Sequence, residues 1–478
     1  MRRGEEKAMG RGKRSGGMRT FIMIWAGQCV SLVGTGLTSF SLGIWVYQRT
    51  GSVTKFALIS LFSTLPVLLL MPLIGALADR WDRRLTMIMS DTVAALCTLG
   101  LAALVSAGRL DVWEIYVVLG VVSLCSAFRW PAYTASTTLL VAKRDLGRVS
   151  GLAQMGPAAA QILAPALAGV LLVTVGIGRV LLIDFSTYLV ALTMLLIVRV
   201  PRPEATDEGK AGKGTLLGES SYGWRYLAAR PGLLGLLVFF AVANFLVGMS
   251  NVLATPLILS FASPAVLGTV LSIGGAGMLF GTVLMVAWGG PKRRVNGVLG
   301  FLALIGLCIV LAGLRPSAPL VGAACFLFFM SLPITNGSSQ AIWQTKVAPD
   351  VQGRVFAMRA MIGGSCLPLA YFVAGPLADR VFEPLLAPGG PLADSVGRVL
   401  GTGKGRGIGL LFVLIGLLTV LGTAIGYRYP RLRLVEDELP DFVPDEAQAA
   451  ADERGRDELP PLPTPFPTTE LQSEADVG

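Results

Sequence analysis

Three ionisable side chains fall inside stretches too apolar to solvate them: Asp91, Arg129 and Asp184. A charge in such surroundings is costly, so each is a candidate for function. A carboxyl group in a low-dielectric site can carry a proton at physiological pH. Asp91 and Asp184 are therefore candidate proton carriers. Each also has a structural reading. Asp91 would pair with nearby arginines, and Asp184 would hydrogen-bond between helices. Arg129 suits an anionic substrate group, or it snorkels to the inner boundary on its long stem.

Enzyme chemistry has little to stand on. The chain has no histidine, which removes the commonest general base and metal ligand. The six cysteines, Cys29, Cys97, Cys125, Cys308, Cys325 and Cys366, all lie in apolar runs, where they pack as small hydrophobes. Gly212-Lys213-Gly214-Thr215 lacks the spacing of a nucleotide loop, and Gly401–Gly407 follows no strand. No metal site, cofactor or catalytic residue is expected. Without an ATP site, an ion gradient must drive any transport.

The elements that position these residues are membrane helices. Of 478 residues, 53% are hydrophobic and 15% charged, against about 25% charged in soluble domains. Twelve apolar runs account for the difference. They lie near 21–47, 55–78, 85–107, 113–135, 150–175, 177–198, 232–261, 264–289, 295–314, 317–342, 355–377 and 407–427. Most exceed the roughly 18 residues that mark a transmembrane helix. The first is too long for the apolar core of a cleavable signal and is expected to remain as helix 1. The net charge of +10 follows topology. With the N-terminus placed in the cytoplasm, 30 of the 40 Lys and Arg lie on the inner side, three of them counted between helices 10 and 11. Nine lie outside, and Arg129 is in a helix. That bias places both termini in the cytoplasm and leaves no nucleic-acid site to explain.

Breaks in the pattern divide the chain. Residues 1–20 form a basic, Gly-rich, mobile segment, and 21–199 a first six-helix bundle. Residues 200–231 are a cytoplasmic linker. In it Leu217, Trp224 and Leu227 share a helical face beside Arg225 and Arg230, which fits either an interfacial helix or a plain connection. Residues 232–430 form a second bundle, and 431–478 a disordered acidic tail. The halves repeat. At an offset of 206, residues 141–171 and 347–377 share 11 identities in 31 positions, including Gly169 with Gly375. The expected fold is all-α, with twelve transmembrane helices in two pseudo-symmetric six-helix bundles.

The loop between helices 2 and 3 reads Gly75-Ala-Leu-Ala-Asp79-Arg80-Trp81-Asp82-Arg83-Arg84. A glycine there lets helix 2 pass close to a neighbour. The carboxylate of Asp79 suits the N-terminus of a facing helix, where the dipole favours an anion. Arg80, Arg83 and Arg84 belong to the same gate or simply anchor topology. The segment resembles the signature of this loop in the major facilitator superfamily, G-x-x-x-D-R-x-G-R-R, with Asp82 where that family usually has Gly. The resemblance implies that Asp79 meets helix 11 near Arg354 and holds the inner side shut. Parallel halves with a site between them at mid-membrane are that superfamily's arrangement.

Helix 5 carries Gly151, Ala160, Ala164-Pro165 and Ala168-Gly169. Small residues four apart make a face for close helix contact. The spacing resembles the antiporter pattern g-x8-G-x3-G-P-x2-G-G, which implies an outward seal. Wider stretches, from Ser31–Thr35 and Thr50-Gly51-Ser52 to Gly375–Pro384, resemble the drug/proton antiporter branch that includes macrolide-efflux and enterobactin-export proteins. The family architecture implies a cavity lined by helices 1, 4, 7 and 10. Its candidate polar residues are Gln28, Thr38, Ser126, Arg129, Asn244, Asn251, Asn336 and Gln340, each of which could instead bond a neighbouring helix.

Together these readings describe a secondary active transporter. The expectation is proton-coupled efflux of a hydrophobic or amphipathic compound (an antibiotic, siderophore or secondary metabolite) by alternating access. An uptake symporter is the alternative within transport, and a non-transporting sensor or scaffold is the alternative outside it. The expected partners are a small-molecule substrate, protons and the lipid bilayer. The chain is expected to act as a monomer in a bacterial cytoplasmic membrane.

Overall fold

The computed structural model describes residues 2–78, 82–140, 146–198, 224–347 and 352–438. Twelve helices among them are long and apolar enough to cross a membrane. They are α1 (Arg2–Thr50), α2 (Val53–Ala78), α3 (Arg83–Ser106), α4 (Val112–Leu140), α5 (Leu146–Thr174) and α6 (Ile177–Ile197) in the first half. The second half has α7 (Pro231–Leu259), α8 (Pro264–Trp288), α9 (Arg294–Leu314), α10 (Ala318–Lys346), α11 (Gln352–Leu377) and α12 (Arg406–Arg428). No strand occurs among the described residues. Lipid offers no hydrogen bonds, so each span must pair its own backbone, and a helix does so. Prolines inside helices, such as Pro131, Pro165, Pro256 and Pro333, are tolerated where neighbours cover the freed carbonyls.

The side chains sort as a bilayer requires. On α3 the buried face holds Thr86, Ser90, Asp91 and Thr98, while Leu85, Met89 and Leu96 are exposed. Apolar groups lose nothing against lipid, so the polar groups turn inward to find one another.

Successive spans alternate in direction. Met18, where the first span begins, and Arg428, where α12 ends, lie at one face, the near face; Thr50 and Val53 lie at the far face. In the first half α1 packs on α5 and α6, α3 on α4 and α6, and α2 on α4. In the second, α8 packs on α10, α9 on α10 and α12, and α7 on α11 and α12. The halves meet through α5 with α8 and α2 with α11. The 206-residue offset carries α2 onto α8 and α5 onto α11, so these are one contact made twice. A Cβ on Gly169 would come 2.7 Å from the Pro264 carbonyl oxygen at the start of α8, and one on Gly375 would come 2.6 Å from Thr54 Cα at the start of α2. Both positions need glycine because a neighbouring backbone passes there.

Several expected boundaries shift. Residues 2–20, expected as mobile, continue α1 as helix. Of the linker, Leu217 lies outside the described residues. Leu227 is buried, Trp224 is half exposed and Arg230 stacks 3.7 Å over the Tyr226 ring. The tail starts later than expected, because Pro430–Arg433 and Val435–Glu438 form helical turns that bury Leu432 and Val435. Glu436 accepts from the backbone N–H of Arg294 at 3.1 Å and of Val295 at 3.0 Å, capping α9. Residues 439–478 lie outside the described residues.

Candidate functional site

In the first half, packing brings four of the flagged residues together. Arg129 of α4 donates from Nη1 to Asp91 Oδ1 of α3 at 2.7 Å, and Gln28 Nε2 of α1 donates to Asp91 Oδ2 at 3.0 Å. Arg129 also reaches Ser126 Oγ at 3.5 Å. Asp91 is fully buried and Arg129 nearly so. The guanidinium is thus held inside the bundle, with its charge cancelled, and does not snorkel. Gln28, Ser126 and Arg129 line a cavity of about 210 Å³ with Trp25, Trp130 and Tyr133. Asp91 therefore communicates with open space through its arginine.

Asp184 of α6 is buried elsewhere. Thr187 donates to its backbone carbonyl at 2.7 Å and approaches its Oδ1 at 3.4 Å. A Cβ on Gly34 of α1 would lie 2.7 Å from that same Oδ1. One residue on, the Tyr188 hydroxyl bonds Thr35 Oγ1 at 2.8 Å. Asp184 sits in the α1–α6 contact and lines none of the described cavities.

The remaining cavity candidates divide. Asn251 lines a space of about 120 Å³ with Phe328, Phe329 and Thr255. Asn244 and Asn336 line one of about 80 Å³ with Phe240, Trp343 and Arg359. Gln340 lines none of them and instead accepts from Arg359 Nη1 at 2.8 Å. Thr38 is buried and lines none. A roomier cavity of about 510 Å³ also takes the candidate Ser126 into its wall, with residues of helices 1, 4 and 7 joined by residues of α2 and α11. Ser39, Ser60, Ser63 and Ser123 line it from the first half, with Thr255 and Tyr371 from the second. It lies between the halves and mixes hydroxyls with aromatic rings.

Contacts cross between the halves at the far face above that cavity. Beyond α11 the chain makes a wide turn over Ala378–Phe382. That turn aims Asp379 at the start of α2. Its carboxylate accepts from the backbone N–H of Val53 at 3.0 Å and of Thr54 at 2.8 Å, and from Ser52 Oγ at 2.7 Å. An acceptor at a helix N-terminus satisfies donors that have no partner within the helix. Glu383 does the same for α12, accepting from Gly405 and Ile408 N–H at 3.1 and 3.0 Å. Lys404 Nζ lies 5.6 Å over the Tyr47 ring, a further link from the second half to the first. At the pseudo-symmetric contact the cap of α8 is local, because Ser263 accepts from Val266 N–H. Among the described residues, the Asp379 cap is the one that joins one half to the other.

Two six-helix halves around a shared cavity, related by an internal repeat, define a transporter architecture, and the sequence comparison agrees. The model of the Major Facilitator Superfamily matches residues 24–371. The chain belongs to that superfamily. It is a multi-pass membrane transporter and not an enzyme. It is similar to Macrolide efflux protein A of Streptococcus pyogenes, 27% identical over 365 residues that span 76% of this chain and 90% of the relative. It is similar also to the multidrug efflux pump Tap of Mycolicibacterium fortuitum, 25% identical over 357 residues, 72% of this chain and 86% of that one. Among solved structures, a bacterial homolog of the human lysosomal transporter Spinster, inward-facing and unoccupied, matches with a TM-score of 0.66 over 90% of this chain and 99% of that chain. At 14% identity that likeness is one of fold.

Both segments that resemble major facilitator patterns can now be placed. Gly75 lies in α2; Asp79 and Arg80 lie outside the described residues. Asp82, where the superfamily usually has Gly, caps α3 by accepting from Arg84 and Leu85 N–H at 3.0 and 3.1 Å. Arg83 opens α3. Arg84 donates to the carbonyls of Leu195 and Leu196 at 3.1 and 2.8 Å, covering the end of α6. On α5, Gly151 lies near the near-face end, and Ala160 and Ala164 pack against Gly36 of α1. Ala164 and Ala168 are fully buried. Pro165 and Gly169 meet α8, where a Cβ on Gly268 would come 2.4 Å from the Pro165 carbonyl oxygen. Ser272 of α8 donates to the Ile162 carbonyl at 2.9 Å, a further hydrogen bond across the halves at a second place.

Two residues escaped the sequence reading. Arg359 was counted with the inner-side loop cations, yet it lies well inside α11. Asp379 lies in the stretch Gly375–Pro384 that resembles the drug/proton antiporter branch, and its sequence context alone gives it no role. Gly375-Pro-Leu-Ala-Asp379-Arg380 copies Gly75-Ala-Leu-Ala-Asp79-Arg80. The copy lies outside the 206-residue repeat, because it relates α2 to its partner α11 and not to its symmetry mate α8.

Proposed function

We propose that the chain exports hydrophobic or amphipathic compounds by alternating access, driven by protons. It would do so in a bacterial cytoplasmic membrane with the near face cytoplasmic. The observation that carries this reading is the cavity between the halves, bridged at the far face by α5–α8, α2–α11 and the Asp379 cap. The relatives named as efflux proteins support the direction. In this scheme the structure corresponds to the state closed to the outside. The matched contacts at Gly169 and Gly375 part together as the halves rock, which is how a small local change becomes a two-state transition.

Asp91 is the better proton carrier of the two candidates. A proton on its carboxylate cancels the charge that holds Arg129, and Arg129 lines a cavity. Proton entry and rearrangement of a cavity wall are then one event. Asp184 has no such connection and serves the α1–α6 contact.

Cells expressing the chain should accumulate several-fold less erythromycin than cells with an empty vector, and a protonophore should erase the difference. Equal accumulation for erythromycin and for a panel of amphipathic dyes would end the export reading. A difference that survives the protonophore but not removal of sodium would replace the proton with sodium.

The charge bias makes a separate prediction about orientation. A reporter fused after residue 438 should be active only in the cytoplasm, because 30 cations lie on that side against 9 on the other. Labelling of that site from outside intact cells would invert the topology.

A further inference from the structure

We propose that the near-face half of the second bundle holds an anion-binding subsite centred on Arg359, which receives the carboxylate, sulfonate or phosphate head of an amphipathic solute. The inference rests on the transport reading for the fate of the ligand, but binding can be read without transport.

Arg359 is half-buried within a membrane helix. Its guanidinium is held by Gln340 Oε1 at 2.8 Å and Ser339 Oγ at 3.3 Å, and its Cζ lies 5.2 Å from the Trp343 ring. None of these partners is an anion, and no carboxylate pairs with Arg359 among the described residues. Arg129 provides the contrast, because Asp91 cancels its charge at 2.7 Å. A half-buried guanidinium at the near-face end of its span, with no counter-charge among the described residues, is costly, and two neutral acceptors and a ring face offset only part of that cost. Among the described residues, the arrangement holds the cation in place without cancelling its charge.

The surroundings point the same way. Trp343 is fully buried, and its indole N–H has no acceptor among the described residues. Trp343, Asn244, Asn336 and Arg359 line one cavity of about 80 Å³. The guanidinium and two amides carry N–H donors on that wall, and a group with acceptors only complements the guanidinium. Drug-sized ligands need cavities of roughly 300 Å³ or more, so this space takes a head group while the body of the solute lies outside it. Phe240 on the rim offers the apolar contact an amphipath requires. An anionic lipid has the same head-group chemistry, and the test must separate the two sources.

The experiment uses full-length protein in nanodiscs and two probes, 11-(dansylamino)undecanoic acid and its uncharged primary amide. In phosphatidylcholine discs the wild type should bind the acid about tenfold or more tightly than the amide, the range of a charge-assisted hydrogen bond. Arg359→Gln should bring that ratio close to one while the amide still binds. Arg359→Lys should fall between, because it keeps the charge and loses the fork. Arg293→Gln, an exposed cation paired with Asp437, should leave the ratio unchanged and so controls for general charge. A wild-type ratio near one, binding of neither probe, or a ratio retained in Arg359→Gln would overturn the subsite. In phosphatidylglycerol discs the same Arg359-dependent ratio supports a solute site. A ratio erased only there assigns the cation to lipid head groups and overturns the solute reading. Erythromycin efflux by the same variants is scored separately, so a chain that exports nothing would sink the transport reading and leave the binding result standing.

Discussion

Asp379→Asn is expected to unlock the far face. The carboxylate is held by two backbone N–H groups and one hydroxyl at the start of α2. Asn keeps the size and one acceptor oxygen but removes the charge that the helix dipole favours. An anion at a partly buried helix N-terminus contributes up to about 2 kcal/mol, and a shift of that size moves a two-state equilibrium roughly 30-fold. The readout is the reactivity of Ser63→Cys, which lines the cavity between the halves, toward an impermeant maleimide added outside intact cells. Labelling should rise about tenfold or more over the same cysteine variant with Asp379 intact. If the rate does not change in a monodisperse protein, the cap is decorative and the seal resides in the helix packing alone.

The second large effect lies at the buried pair. Arg129→Met strands the Asp91 carboxylate with Gln28 as its sole remaining partner, and leaving half of a buried ion pair costs about 3–5 kcal/mol. Folded yield and melting temperature should collapse. The double variant Asp91→Leu/Arg129→Met removes both charges, and a packed apolar replacement is often neutral or better for stability. It should therefore recover the fold and still fail at uphill, pH-driven efflux. Asp184→Asn should keep coupling. The measurements are the melting curve of purified protein and erythromycin efflux against its gradient, with and without an imposed pH difference. Uphill export by the double variant would remove Asp91 from the mechanism.

The contrast between what could and could not be read from the chain has physical causes. The twelve spans were visible because bilayer hydrophobicity needs no knowledge of packing. The repeat was visible because Gly169 and Gly375 are each forced by a passing backbone. Asp91 and Arg129 stood out singly as charges among apolar residues. Their pairing, 38 residues apart, required knowing which faces of α3 and α4 meet. Arg359 hid because a helix end is soft to a few residues in hydropathy, and a cation near a boundary reads as topology. The cavity between the halves has further hydroxyls beside Ser126, and these hid for another reason. Ser and Thr in membrane helices commonly bond their own preceding turn, as Thr35 does to the Ser31 carbonyl at 2.9 Å, so nothing in the sequence marks those that face open space. Asp82 was read as a departure from a turn glycine, whereas it serves as a helix cap.

The chain's last described turns reach further than their position suggests. Leu432 and Val435 share a hydrophobic cluster with Leu227, Leu233, Val295, Ile342 and Trp343. Glu436 caps α9, and its carbonyl receives the ammonium of Lys346 from the end of α10. The near-face ends of α7, α9 and α10 are thereby clamped into one block, with Trp343 both part of that block and part of the wall beside Arg359. Residues 432–436 are thus the foundation of a pocket they never touch. Natural variation there would retune which solutes the carrier accepts while every residue lining the pocket stayed the same, a form of evolvability stored at the chain's edge.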